Sequence, residues 1–147
     1  MRLKLACHLC VLMFLFSPNT RGESSNLVRT QEEQERHVQV IQMTAKKYEY
    51  SPSPVHVKQG TKVQLKITAI DRDHGFSIAT VPEGADATAP AGLEFTSPQP
   101  KDTWKLKKGK ETTIEFRALR AGLYEFRCSV PCGLGHGRMK GQLVVDP

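Results

Sequence analysis

The chain has 147 residues, 39% hydrophobic and 24% charged, with 11 glycines and 9 prolines. That suits one small soluble domain with modest extensions, is too short for two separate cores, and is neither collagen-like nor disordered in composition. The formal charge of +6 is no nucleic-acid signal, because Arg2, Lys4 and Arg21 fall among the first 22 residues, which hold no acid, and 18 basic against 15 acidic side chains remain.

In chain order, the first segment reads as an address. Arg2 and Lys4 precede a nearly continuous apolar stretch from Leu5 to Phe16, which Ser17-Pro18-Asn19 breaks. This is the pattern of a secretory signal over residues 1–22, since a helix crossing a membrane needs about 20 apolar residues. An uncleaved segment would instead anchor the domain. Cys7 and Cys10 belong to it and are set aside. Residues 23–36, with the run Gln31-Glu32-Glu33-Gln34-Glu35-Arg36, read as a polar linker or frayed helix.

From residue 37 the apolar period becomes two. Val38 and Val40 open a strand, Val63, Leu65, Ile67 and Ala69 alternate with polar residues, and Ile114 and Phe116 do the same. Tyr124, Phe126 and Cys128 share a parity, and Leu143 and Val145 close the chain. Turn residues at Ser51-Pro52-Ser53-Pro54, Gln59-Gly60, Lys108-Gly109-Lys110 and Ala121-Gly122 have the spacing of a sandwich of short strands. The expected fold is therefore all-β, with residues 37–147 as its domain. Thr80 to Thr103, with Pro82, Pro90, Pro98 and Pro100, is expected to be a long irregular connection, either a lid or a loop crossing between sheets. Phe76, Phe126 and Tyr124 are expected in the core, and Arg138 as a solvated charge.

The chemistry is concentrated between Cys128 and Met139. Cys128, Cys132, His136 and Met139 follow one another on a single glycine-rich loop. Soft sulfur donors select copper and other thiophilic metals, imidazole suits both copper oxidation states, and a weak methionine ligand marks copper electron-transfer sites. A mononuclear copper site needs one cysteine, so the second sulfur suggests two coppers bridged by both. Such a pair calls for one histidine per metal and weak ligands from Met139 and a backbone carbonyl. His74, directly after the Val63 to Ala69 strand, is the candidate second histidine if its loop shares an end of the sandwich with the cysteine loop. His37 and His56 fit less well. A Cys128–Cys132 disulfide, natural in an exported protein, and a zinc site stand beside copper as alternatives.

The pattern Cys-x3-Cys-x3-His-x2-Met, with an upstream His-Gly-Phe, resembles the two-copper CuA domain of cytochrome c oxidase subunit II and of nitrous oxide reductase. The resemblance covers residues 37–147 and implies a cupredoxin-like Greek-key β-sandwich. It implies that Cys128 and Cys132 bridge the coppers, that His74 and His136 are terminal ligands, and that Met139 and the carbonyl of Val130 are axial. Tyr48-Glu49-Tyr50 is similar to a stretch of the oxidase subunit. The family's acidic residue is Val130 here, its tryptophan-rich run reads Met43-Thr44-Ala45-Lys46-Lys47, and its paired membrane helices are missing from the pattern. The expected protein is a periplasmic or secreted electron carrier rather than an enzyme, with a c-type cytochrome or a copper-delivery protein as partner. A Cu(I) carrier supplying an oxidase and a mononuclear cupredoxin are the alternatives.

Overall fold

The computed structural model describes residues 38–86, 88–97, 99 and 103–147. The expected signal segment, the polar linker and His37 lie outside the described residues. The described chain forms ten strands and one short 3-10 turn, His136–Arg138. The first sheet has the order β2 (Glu49–Ser51), β1 (Val38–Lys46), β4 (Lys62–Ala69), β8 (Glu111–Ala118), β6 (Leu93–Phe95). The second has the order β3 (Val55–Lys58), β10 (Lys140–Asp146), β9 (Gly122–Arg127), β5 (His74–Ile78), β7 (Thr103–Leu106). This is the all-β sandwich expected from the alternation. Its parallel pairings, β1 with β4 and β3 with β10, join strands distant in the chain, as Greek-key crossovers do.

The alternation decides which side of each strand is buried. In β4 every second residue, Val63, Leu65, Ile67 and Ala69, faces the core while Lys62, Gln64, Lys66 and Thr68 do not. In β1 the apolar residues change parity midway. Val38 and Val40 are exposed, and Met43 and Ala45 are buried, paired with Ile67 and Ala69 of β4. The connection from Thr80 to Thr103 is less irregular than expected, because β6 interrupts it and pairs with β8 through Leu93 and Ala118. It thus carries the chain from the second sheet to the first, and the β7 strand returns to the second.

Phe126, 1% exposed, joins the two layers beneath the loop end, with Tyr50 and Phe76 ring centroids each 5.3 Å from its own. Tyr124 and Phe76 are fully buried beside it, as expected of core residues. Trp104 closes the far side against Phe95 at 5.0 Å. Truncating Phe126 to alanine removes these contacts and leaves a cavity, so an unfolding titration should show a loss of about 3–5 kcal/mol.

The loops between β1 and β2, β4 and β5, and β9 and β10 emerge at one end of the sandwich. The Ile70 amide donates to Ala45 O at 3.0 Å, and the Cys128 amide donates to Met139 O at 2.9 Å, which fixes the two ends of the long β9–β10 loop together.

Candidate metal centre

Between those two pinned ends the loop winds through tight turns. The amides of His136, Arg138 and Met139 donate to Gly133 O, Gly135 O and His136 O, each at 3.0 Å. These turns bring the loop's side chains back over its own first residue. Cys132 Sγ lies 3.7 Å from Cys128 Sγ, from His136 Nδ1 and from Met139 Sδ. Cys128 Sγ lies 3.2 Å from Val130 O. Cys128, Cys132 and Met139 are buried, both cysteines are free thiols, and His136 is half-buried.

His74, the first residue of β5, comes from the other sheet connection and meets this loop. One of its ring nitrogens and the sulfurs of Cys128 and Cys132 all lie within 4.8 Å of one another. Sequence reasoning placed His74, Cys128, Val130, Cys132, His136 and Met139 at one site, and the structure brings all six together. His56 is an exposed residue of β3, with its Nδ1 3.2 Å from Asp146, and is not among the clustered donors.

The surroundings hold these donors in place. His74 Nε2 lies 2.7 Å from Asp71 Oδ1 and donates to it, which in the neutral ring leaves Nδ1 free to accept. Nδ1 is buried and has no hydrogen-bond partner among the described residues. A buried acceptor without a partner is costly, and a metal ion is the partner that the neighbouring sulfurs would share with it. The donor set therefore fits a soft metal. Asp71 is partly desolvated, yet the hydrogen bonds from His74 and from the amides of Lys47 and Arg72 hold its carboxyl below the usual carboxylate range. Burial, reinforced by the Cys128 sulfur, pushes the Cys132 thiol up. Burial and the two nearby sulfurs do the same to the Tyr50 phenol.

Four further contacts were not legible in the sequence. Arg72 Nη1 donates to Cys132 O at 2.8 Å, tying the two loops together. Tyr50 Oη donates to Gly75 O, and the Gly75 amide donates to Cys128 Sγ at 3.4 Å, so the core tyrosine and the first sulfur hold the two sides of one residue. Tyr48 lies against the loop, where a Cβ at Gly135 would come within 2.2 Å of its ring. The one available signal was the presence of Asp71 near His74 in the chain, since ligand histidines are commonly oriented by a carboxylate.

The sequence profile of the cupredoxin-like domain matches residues 6–145. The chain belongs to the cupredoxin-like family. This cupredoxin is 31% identical over 96 residues to cytochrome c oxidase subunit 2 of Thermus thermophilus, covering 65% of this chain and 57% of that protein. A second oxidase subunit 2, also of Thermus thermophilus, matches at 31% over 96 residues and 46% of its length. The chain thus spans about half the length of these relatives. Among solved structures, the periplasmic domain of cytochrome oxidase subunit II of Bradyrhizobium japonicum superposes with a TM-score of 0.55 at 16% identity, over 73% of this chain and 83% of that one. Auracyanin A, a blue copper protein of Chloroflexus aurantiacus, does so with a TM-score of 0.54 at 18% identity, over 75% of this chain and all of the other. At such identities the likeness concerns the fold. Among the described residues no helix is long and apolar enough to cross a membrane.

Proposed function

We propose that this cupredoxin is a copper-binding electron-transfer protein of the periplasm or the secreted fraction. Its loop holds two coppers, with Cys128 and Cys132 as bridging thiolates and His74 and His136 as terminal ligands. Met139 and the carbonyl of Val130 are the weak axial ligands. The observation that carries this is the position of Cys132 Sγ, 3.7 Å from a second sulfur, an imidazole and a thioether. A mononuclear blue site uses one cysteine, so two buried thiols at this distance favour a bridged pair. Residues 1–22 act as the export signal, residues 23–36 as a tail, and residues 37–147 as the copper domain. A c-type cytochrome or a copper-delivery protein is the partner. The oxidase relatives support a place in an oxidase-linked redox chain.

Copper bound here supplies a one-electron couple. The protein's own part is to keep that couple rigid and dry. Cys128, Cys132, Met139 and His74 are all buried, so little water reorganises when the charge changes. The Cys128 amide, the Arg72 guanidinium and the Asp71 carboxylate fix the donors before metal arrives, which limits movement between oxidation states. His136, the one half-buried side chain among the metal-binding side chains, offers the electron its exit.

Copper titration of the reduced protein tests the proposal, followed by optical and electron-spin spectra after oxidation. Two coppers per chain with a spin signal shared over both are expected. One copper per chain with the spin on a single ion would overturn the two-copper reading, and ready surrender of Cu(I) to a competing protein without a stable oxidised form would favour the carrier.

Asp71 gives a more local test. Asp71→Ala removes the acceptor that holds the His74 ring and its tautomer. Losing such a partner costs about 10- to 100-fold in metal affinity, which a competition titration with a Cu(I) chelator would measure.

A further inference from the structure

The metal loop also carries the most exposed large apolar side chain among the described residues. Leu134 at the loop tip is fully exposed, with a relative exposure of 108%. Cations stand on the same loops. Arg72 is bonded to Cys132 O, and the Arg138 guanidinium sits 6.0 Å over the ring of Tyr48, which itself packs against Gly133 and Gly135. An open groove of about 560 Å³ also runs past His136 and Met139, and it carries Arg127, Lys140 and Glu125 on its walls.

The acids of this end are paired or held by hydrogen bonds. Asp71 is engaged by His74 and the amides of Lys47 and Arg72. Asp73 is paired with Lys107 at 2.7 Å, and Glu125 with Lys140 at 3.3 Å. Among the described residues Arg127 and Arg138 form no ion pair, so their charge faces solvent. An apolar tip within a cationic rim, beside a half-buried imidazole, is a surface built to receive something acidic. Charges this close to the encounter act within the roughly 8 Å over which physiological salt leaves them effective, and complementary rims raise association rates and select partners.

We infer that this end is a docking face for a redox protein whose electron-exchange surface is acidic, an inference that rests on the electron-transfer function proposed above. In the encounter one electron passes from the partner's reduced haem iron, which becomes ferric, to the oxidised copper centre. No bond or proton moves.

The test uses a basic c-type cytochrome and the same cytochrome with its lysines succinylated, each mixed in reduced form with the oxidised, copper-loaded protein. The succinylated form should react faster at low salt, and its rate should fall about tenfold as ionic strength rises from ~10 to ~200 mM, while the native form should speed up or stay flat. The double variant Arg127→Glu with Arg138→Glu should lose about tenfold of the succinylated rate at low salt, whereas Lys58→Glu at the opposite end of the sandwich should not. Binding of the succinylated cytochrome to metal-free protein, followed by calorimetry, should show the same preference. Fast exchange with both forms and no salt dependence would overturn the docking face and leave the electron-transfer function standing. A faster native form that slows with salt would overturn its sign. Failure of either form to exchange electrons would sink the function and the docking face together.

Discussion

Cys132→Ser is expected to abolish the two-copper state: metal analysis should find one copper per chain or fewer, and the delocalised spin signal should vanish. The reason lies in the number of contacts that converge on this sulfur. Cys128, His136 and Met139 all meet it at 3.7 Å, and it is 2% exposed. A serine oxygen is a hard donor that stays protonated where a thiol would give up its proton to copper, so it cannot replace a bridging thiolate. In the metal-free protein the buried hydroxyl would also lack a partner, at a cost of about 1–3 kcal/mol. An unchanged copper count and spectrum in this variant would refute the bridging role.

Gly75→Ala is expected to damage the site from the other side. A Cβ at Gly75 would stand 2.2 Å from Ser129 Oγ and 3.0 Å from the backbone nitrogens of both Ser129 and Val130. The hydroxyl can swing aside, but the two peptide nitrogens belong to the ligand loop and move only with it. The same glycine donates its amide to Cys128 Sγ and accepts from Tyr50, so any retreat of the strand disturbs both bonds. Overpacking of this kind costs about 1–3 kcal/mol of stability, and displacing the sulfur's neighbours should weaken copper about 10- to 100-fold. Gly137→Ala is the control, because nothing lies within 4 Å of a Cβ there. Chemical unfolding and copper competition on the two variants would separate a specific clash from a general effect of replacing loop glycines.

Much of the site was visible in the chain because its parts are close in sequence. Cys128, Cys132, His136 and Met139 span one loop, and their spacing alone announces soft-metal chemistry. The β-strands were visible for a similar reason. A half-buried strand writes its two faces into every second residue, as Val63 to Ala69 does. Where the apolar residues change parity, that signal fails. In β1 the stretch Val38 to Ala45 carries apolar side chains on both registers, and only the parallel pairing of Met43 with Ile67 and Ala45 with Ala69 assigned Val38 and Val40 to solvent. The β6 strand was hidden for another reason. Three residues among prolines and glycines carry too short a pattern to read, and their place comes from pairing with β8.

The sequence by itself therefore determined an all-β chain with a sulfur- and imidazole-bearing loop near its end, since alternation and ligand spacing are properties of neighbouring residues. The meeting of His74 with Cys128 and Cys132, the anchoring of Cys132 O by Arg72 and the placement of Tyr50 behind Gly75 were decided only by tertiary structure. Those partners lie dozens of residues apart and on different strands, and the crossovers that bring their loops to one end are set by how two whole sheets pair and pack, which no local pattern encodes.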